Sequence, residues 1–128
     1  MLRLPRFQYV SPPTVMDALS ARFELGSDAM YVAGGTDLYP NMKRRQQTPR
    51  HVISLAGIEP LREIHSGPEL GLRIGSCVTL AQLAADPIVR RQYPAVAAAA
   101  GLVSTPPLRN MGTIGGNLLL DTRCNYYD

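Results

Sequence analysis

The sequence has no tryptophan, and only two phenylalanines stand against six tyrosines. A core built from it is therefore mainly aliphatic. Cysteine is just as scarce: Cys77 and Cys124 are too few for a disulfide framework. No apolar run approaches the roughly eighteen residues of a membrane-spanning helix, so no membrane partner is expected. The opening "MLRLPRFQYV" has neither a long apolar stretch nor a small-residue cleavage site. No secretory leader is expected from it, and a cytoplasmic location is the default. Excess charge is also small, a net +3 from 13 Lys and Arg against 10 Asp and Glu. Arg3, Arg6, Lys43, Arg44 and Arg45 fall near the start and in the run "NMKRRQQTPR", which contains no aromatic residue. A nucleic-acid surface would set aromatics among its cations, so none is expected. The run reads instead as a solvated helix end, where cations suit the dipole. The G-x-G-x-x-G, P-loop and H-E-x-x-H patterns are all missing. His51 and His65 have no nucleophile beside them in sequence and read as structural or surface residues.

What is present suits one modest domain, or part of a larger one: 128 residues, 45% of them apolar. In "SPPTVMDALSARFELG", Thr14 and Asp17 predict a capped helix start. Val15, Ala18, Leu19 and Phe23 make its apolar stripe, and Gly26 ends it. "AMYVAGG" predicts a buried strand running into a tight loop, and "TDLYPNMKRR" a short helix with Pro40 in its first turn. "HVISLAGI" and "LREIHSG" predict two more strands, the latter paired as a hairpin with "LGLRIGSCVTL" across "SGPE". "TLAQLAAD" and "PIVRRQYPAVAAAAGLV" turn helical, the second rich in alanine for close packing. "STPPLRNMGTIGGNLLL" reads as a loop, a glycine step, and then a strand or helix start. No internal repeat is visible. The order of elements argues an α+β or mixed α/β fold.

Two glycine steps carry the chemistry. In "VAGGTDL", Gly34 and Gly35 let the backbone turn through conformations that a Cβ resists. Successive N–H groups there can form a nest for phosphate oxygens, with the Thr36 hydroxyl as a further donor. In "GTIGGN", Thr113 and Asn117 bracket Gly115 and Gly116, again offering close backbone approach and polar donors. Each pair alone is equally what an ordinary turn uses. Two of them, each followed by a donor and each meeting an apolar segment, could grip the two halves of a pyrophosphate.

The combination "AGGTDL … LRIGSCVTLAQLA … RNMGTIGGNLLLDTRC" resembles the flavin-binding subunit of the molybdenum hydroxylases, the family of xanthine dehydrogenase and aerobic carbon monoxide dehydrogenase. The resemblance runs from about Tyr9 to the end. It implies an FAD-binding domain of the vanillyl-alcohol oxidase/PCMH type, of which residues 1–128 would be the N-terminal part. It also implies that Tyr31, Val32, Ala33, Gly34, Gly35, Thr36, Asp37 and Leu38 wrap the FAD pyrophosphate. Thr113, Ile114, Gly115, Gly116 and Asn117 would close the site, with Val103 bordering the flavin. Arg109 would brace the loop rather than touch FAD. No residue is implied as an acid, base or nucleophile.

The tail "LLLDTRCNYYD" is similar to the beta subunit of 4-hydroxybenzoyl-CoA reductase, in which inserted cysteines bind a [4Fe-4S] cluster. The resemblance implies Cys124 as one cluster ligand and places Asn125 near the flavin. The remaining chain of such an enzyme would lie beyond this sequence. Its implied partners are a molybdopterin-binding large subunit, a [2Fe-2S] small subunit and an electron donor such as ferredoxin. A four-iron cluster needs about four thiolates, so no assembled cluster is expected in the sequence as it stands. Cys77, in "GSCVTL", reads as a small buried hydrophobe.

Overall fold

A computed structural model of the chain describes residues 3–69 and 71–121. Its first half is a three-stranded parallel sheet between helices. Strand β1 (Gln8–Val10) leads to helix α1 (Val15–Leu25), β2 (Ala29–Val32), α2 (Leu38–Lys43) and β3 (His51–Ser54). The sheet order is β1-β3-β2, with Val52 in register with both Tyr9 and Met30. Val52 and Ile53 are fully buried, and strand alternation sends them to opposite faces. Ile53 joins Ala18, Ala29 and Ile58 under α1; Val52 joins Val32, Leu38 and Met42 under α2.

Local chemistry fixes the helix ends. The Thr14 hydroxyl accepts the Asp17 N–H at 3.1 Å and donates to the Asp17 carboxylate at 2.6 Å. At the other end Gly26 takes φ +60, and its N–H bonds the Arg22 carbonyl. The face that α1 buries differs from the expected stripe. Ala18, with Ala21 and Leu25 partly buried, packs on the sheet, whereas Phe23 is 90% exposed and Val15 and Leu19 also face outward. The small residues win that face because they let α1 lie close to the strands.

The second half is an antiparallel hairpin, β4 (Ile64–Gly67) with β5 (Gly71–Ile74), backed by helices α3 (Leu80–Ala85), α4 (Pro87–Gln92) and α5 (Pro94–Leu102). Thr79 and Gln82 form a reciprocal capping box on α3, and Asp86 caps α4 through the Ile88 and Val89 N–H groups. Ala97 and Ala100 on α5 are buried with Val78, Leu80, Leu83 and Val89, as the alanine-rich segment predicts. Two short helices follow, α6 (Pro106–Arg109) and α7 (Ile114–Leu118). The Gly75 N–H extends the hairpin to the Glu63 carbonyl at 2.8 Å, and the Cys77 N–H bonds the Leu61 carbonyl at 2.7 Å, joining the hairpin's exit to the segment that follows β3.

Three details differ from the sequence expectations. Cys77 lies in a turn rather than in a strand, because β5 stops at Ile74 and the chain must turn into the Thr79 cap. "LREIHSG" begins in a 3-10 turn over Glu59–Arg62, where Pro60 sets the geometry, and is extended only from Ile64. "GGNLLL", open between strand and helix, resolves as α7, because Thr113 caps it through the Gly116 N–H.

Candidate functional site

In a parallel sheet flanked by helices, ligands gather outside the carboxyl ends of the strands. The "AGGTD" turn leaves β2 at that edge, next to the end of β3, where the Leu55 N–H bonds the Val32 carbonyl at 2.8 Å. Gly35 sits at φ +71, a left-handed conformation that favours glycine. Among the described residues, the N–H groups of Gly34, Gly35 and Thr36 donate to no acceptor. They are therefore available to an outside anion. The Asp37 carboxylate accepts the Asn41 side-chain N–H at 3.0 Å. The helix that follows has six residues, so its dipole adds little, and the donors of this turn carry the site.

The second glycine segment meets the first through residues just ahead of it. A Cβ on Gly34 would fall on the Met111 carbonyl, and one on Gly112 would lie 3.5 Å from the Thr36 hydroxyl oxygen. Met111 and Gly112 thus touch both ends of the first turn. Neither was singled out from the sequence, although Gly112 stands in the "MGT" of the second motif.

The amides of the second step are not bare, which corrects the expectation that both steps offer free donors. The Ile114 N–H bonds the Val78 carbonyl and the Gly115 N–H the Ser76 carbonyl, each at 2.9 Å. The Gly116 N–H bonds the Thr113 hydroxyl at 3.2 Å, and the Asn117 N–H the Thr113 carbonyl at 2.9 Å. Thr113, 7% exposed, also bridges Thr79. This step is a scaffold: it presses α7 onto the Ser76–Thr79 segment and sets Met111 and Gly112 against the first turn. Asn117 is exposed and presents its carboxamide from α7.

The other expected residues separate by side chain. The Tyr31 hydroxyl donates to the Ala18 carbonyl at 3.3 Å, so its ring lies on the α1 side. Val32, on β2, and Leu38, the first residue of α2, are buried in one cluster. These three can offer only backbone to a ligand at the turn. Ala33 lies within the turn itself, and Ile114 packs on the second core. Val103 packs there too, and its carbonyl, with that of Ser104, accepts from the Arg109 guanidinium at 2.9 Å. Ser104 is held at φ +50 within that brace, so Arg109 supports the loop as expected. Cys124 and Asn125 lie outside the described residues.

Cys77 is buried, its thiol donating to the Leu55 carbonyl at 3.6 Å. Burial pushes that thiol above its ordinary value. His65 pairs with the exposed Glu63 at 2.6 Å. Among the described residues no group of three His, Cys, Asp or Glu is placed to hold a metal ion. No helix of the described residues is long and apolar enough to cross a membrane. Two surface hollows, of about 400 and about 170 Å³, are lined by neither glycine pair.

A mixed helix-and-strand domain with a donor-rich glycine turn at its parallel-sheet edge is the architecture of a nucleotide-cofactor domain, and the comparison with known proteins gives its class. Residues 5–125 match the FAD binding domain in molybdopterin dehydrogenase, and the chain belongs to that family. It is 40% identical over 114 residues to the carbon monoxide dehydrogenase medium chain of Hydrogenophaga pseudoflava, covering 89% of this chain and 39% of that one. It is 42% identical over 110 residues to an aldehyde oxidoreductase FAD-binding subunit of Escherichia coli (strain K12), covering 86% of this chain and 34% of the other. The solved carbon monoxide dehydrogenase from Hydrogenophaga pseudoflava that lacks the Mo-pyranopterin moiety superimposes with a TM-score of 0.86 at 40% identity, over 91% of this chain and 40% of that one. The chain thus spans about a third to two fifths of the length of these relatives. The relatives are subunits of oxidoreductases.

Proposed function

We propose that this chain binds FAD by its diphosphate at the Ala33–Asp37 turn and serves as part of the flavin subunit of a molybdenum-containing oxidoreductase. The observation that carries the reading is the set of acceptor-free N–H groups on Gly34, Gly35 and Thr36, with the Met111 carbonyl packed against Gly34. The fit is chemical. A diphosphate bridge wants several converging donors with no Cβ in the way, and a turn of this kind supplies them without a cation. The Thr36 hydroxyl adds a donor. Thr113 to Asn117 form the adjoining wall, with the Asn117 carboxamide as its polar contact. Val103 and, from the tail, Asn125 border the flavin. When bound, FAD supplies the redox chemistry, while these residues bind and orient it.

At the level of the whole enzyme, the reading extends to a cytoplasmic complex with a molybdopterin-binding large subunit and a [2Fe-2S] small subunit. The domain would be the N-terminal part of a vanillyl-alcohol oxidase/PCMH-type fold. Two holoenzymes are in play. The "DTRC" tail favours 4-hydroxybenzoyl-CoA reductase, fed by a donor such as ferredoxin. The matched carbon monoxide, xanthine and aldehyde enzymes favour an oxidising hydroxylase equally well. The residues present do not by themselves fit a [4Fe-4S] cluster. The sequence holds two cysteines, and Cys77 is committed to the core. A cluster bound through Cys124 needs further cysteines from outside this sequence.

Flavin fluorescence tests the binding. Titration of the chain with FAD gives saturable quenching, and ADP competes because it carries the same diphosphate. Riboflavin, which has none, binds far more weakly. Equal binding of riboflavin and FAD would remove the diphosphate site from the account.

A further inference from the structure

We propose that Tyr39 is a positioning residue for the diphosphate turn: the edge of its ring holds Gly35 in the conformation that lines up the neighbouring N–H groups. The inference rests on the diphosphate reading above and goes beyond it, to a side chain outside the glycine motif. Glycine is the residue with the widest conformational choice, so a Gly-Gly turn left to itself samples many shapes. A turn that must order on binding loses affinity to that ordering, and a turn held beforehand does not.

Two contacts supply the restraint. On one side the Met111 carbonyl lies against Gly34. On the other the Tyr39 ring, through its Cε2 and Cδ2 atoms, occupies the space a Cβ on Gly35 would take. The ring is not a free flap. Tyr39 packs against the cluster of Val32, Leu38, Met42 and Val52, and its N–H bonds the Gly35 carbonyl at 3.2 Å. Backbone and ring of one residue thus grip the same glycine. The ring is the working part, because the contact is made by ring carbons.

The test measures FAD and ADP affinity for the parent chain and for Gly35→Ala, Tyr39→Phe, Tyr39→Leu and Tyr39→Ala, with circular dichroism and thermal melting of each apo chain alongside. The expected result is parent-like affinity for Tyr39→Phe, which keeps the ring, and losses of about tenfold for Tyr39→Leu and Tyr39→Ala. The loss is the same for FAD and ADP, since the diphosphate is what they share. Tyr39→Leu keeps apolar bulk, so it reports on ring geometry even where the alanine variant fails to fold. Affinity lost in Tyr39→Leu at a temperature where its apo chain is still fully folded is the readout that general core damage would not give. Parent-like affinity in Tyr39→Leu, beside a loss in Gly35→Ala, overturns the role of Tyr39 and leaves the diphosphate turn intact. Unchanged affinity in Gly35→Ala means that the diphosphate reading itself has failed, and the Tyr39 inference falls with it.

Discussion

The carbonyl oxygen of Met111 occupies the place where a Cβ on Gly34 would stand. That one contact joins the turn after β2 to the segment before α7, although nearly eighty residues separate them in sequence. It also explains why glycine is needed at a position with no unusual φ. Gly34→Ala therefore forces two backbone segments apart. The expected cost is about 1–3 kcal/mol, as for overpacked sites, with loss of FAD binding. Gly26→Ala is the contrast. Gly26 has φ +60 and ψ −147 but open space around it, so it costs about 1–3 kcal/mol through its backbone alone and leaves FAD affinity unchanged. Thermal melts and FAD titrations of both variants check the pair.

Gly115 and Gly116 are adjacent but not equivalent. A Cβ on Gly115 would come within 2.7 Å of the Ser76 carbonyl oxygen, whereas one on Gly116 would meet only the Thr113 hydroxyl at 3.2 Å. Gly115→Ala is expected to lower the melting temperature by several degrees, at about 3–6 °C per kcal/mol for a chain between the small and mid-sized domain classes. Gly116→Ala shifts it far less. Equal effects at the two positions would contradict the scaffold role given to this step.

Arg109 donates to two carbonyls, those of Val103 and Ser104. Arg109→Met should lower the unfolding free energy by about 1–2 kcal/mol, the range for hydrogen bonds from a charged donor near the surface. Both bonds leave one guanidinium nitrogen, Nη1, which a lysine ammonium can imitate, so Arg109→Lys should recover most of it. Urea unfolding of the three proteins measures the difference.

Much of this architecture can be read from the sequence. Thr14, Thr79 and Gly26 mark helix ends by local chemistry, and each does so in the structure. The hairpin across "SGPE" is legible for the same reason. Strand β1 is not legible, because three residues carry too little pattern, and only its pairing with β3 makes it a strand. The α1 stripe misleads because periodicity names an apolar face without saying which neighbours await it. Phe23 is therefore exposed while Ala18 is buried. At the site, the glycine pairs are plain in the sequence, but which amides stay free is not. That depends on Ser76 and Val78 reaching the second step from another element. Met111 and Tyr39 carry no signature, since one acts through a carbonyl and the other through packing.

Alkaline pH should weaken the fold through Cys77. Burial raises the thiol above its ordinary value of 9.0, and burial likewise raises the Tyr39 phenol above 10.0. The unfolded chain then releases these protons first, so it binds fewer protons than the native state over that window. The stability that these groups contribute is complete below pH 9.0 and falls as pH rises toward the native values. In Cys77→Ala the decline between 9.0 and 10.0 should be shallower than in the parent. Equilibrium unfolding as a function of pH checks the slope.

The central claim is that the backbone amides of the first glycine turn donate to a diphosphate while those of the second are committed within the fold. At 14.0 kDa the chain suits amide-resolved NMR, and titration with ADP reads the claim directly. The account predicts large amide shifts at Gly34, Gly35 and Thr36 and small ones at Gly115 and Gly116, whose N–H groups are already bonded within the fold. Large shifts at the second set with none at the first would contradict it.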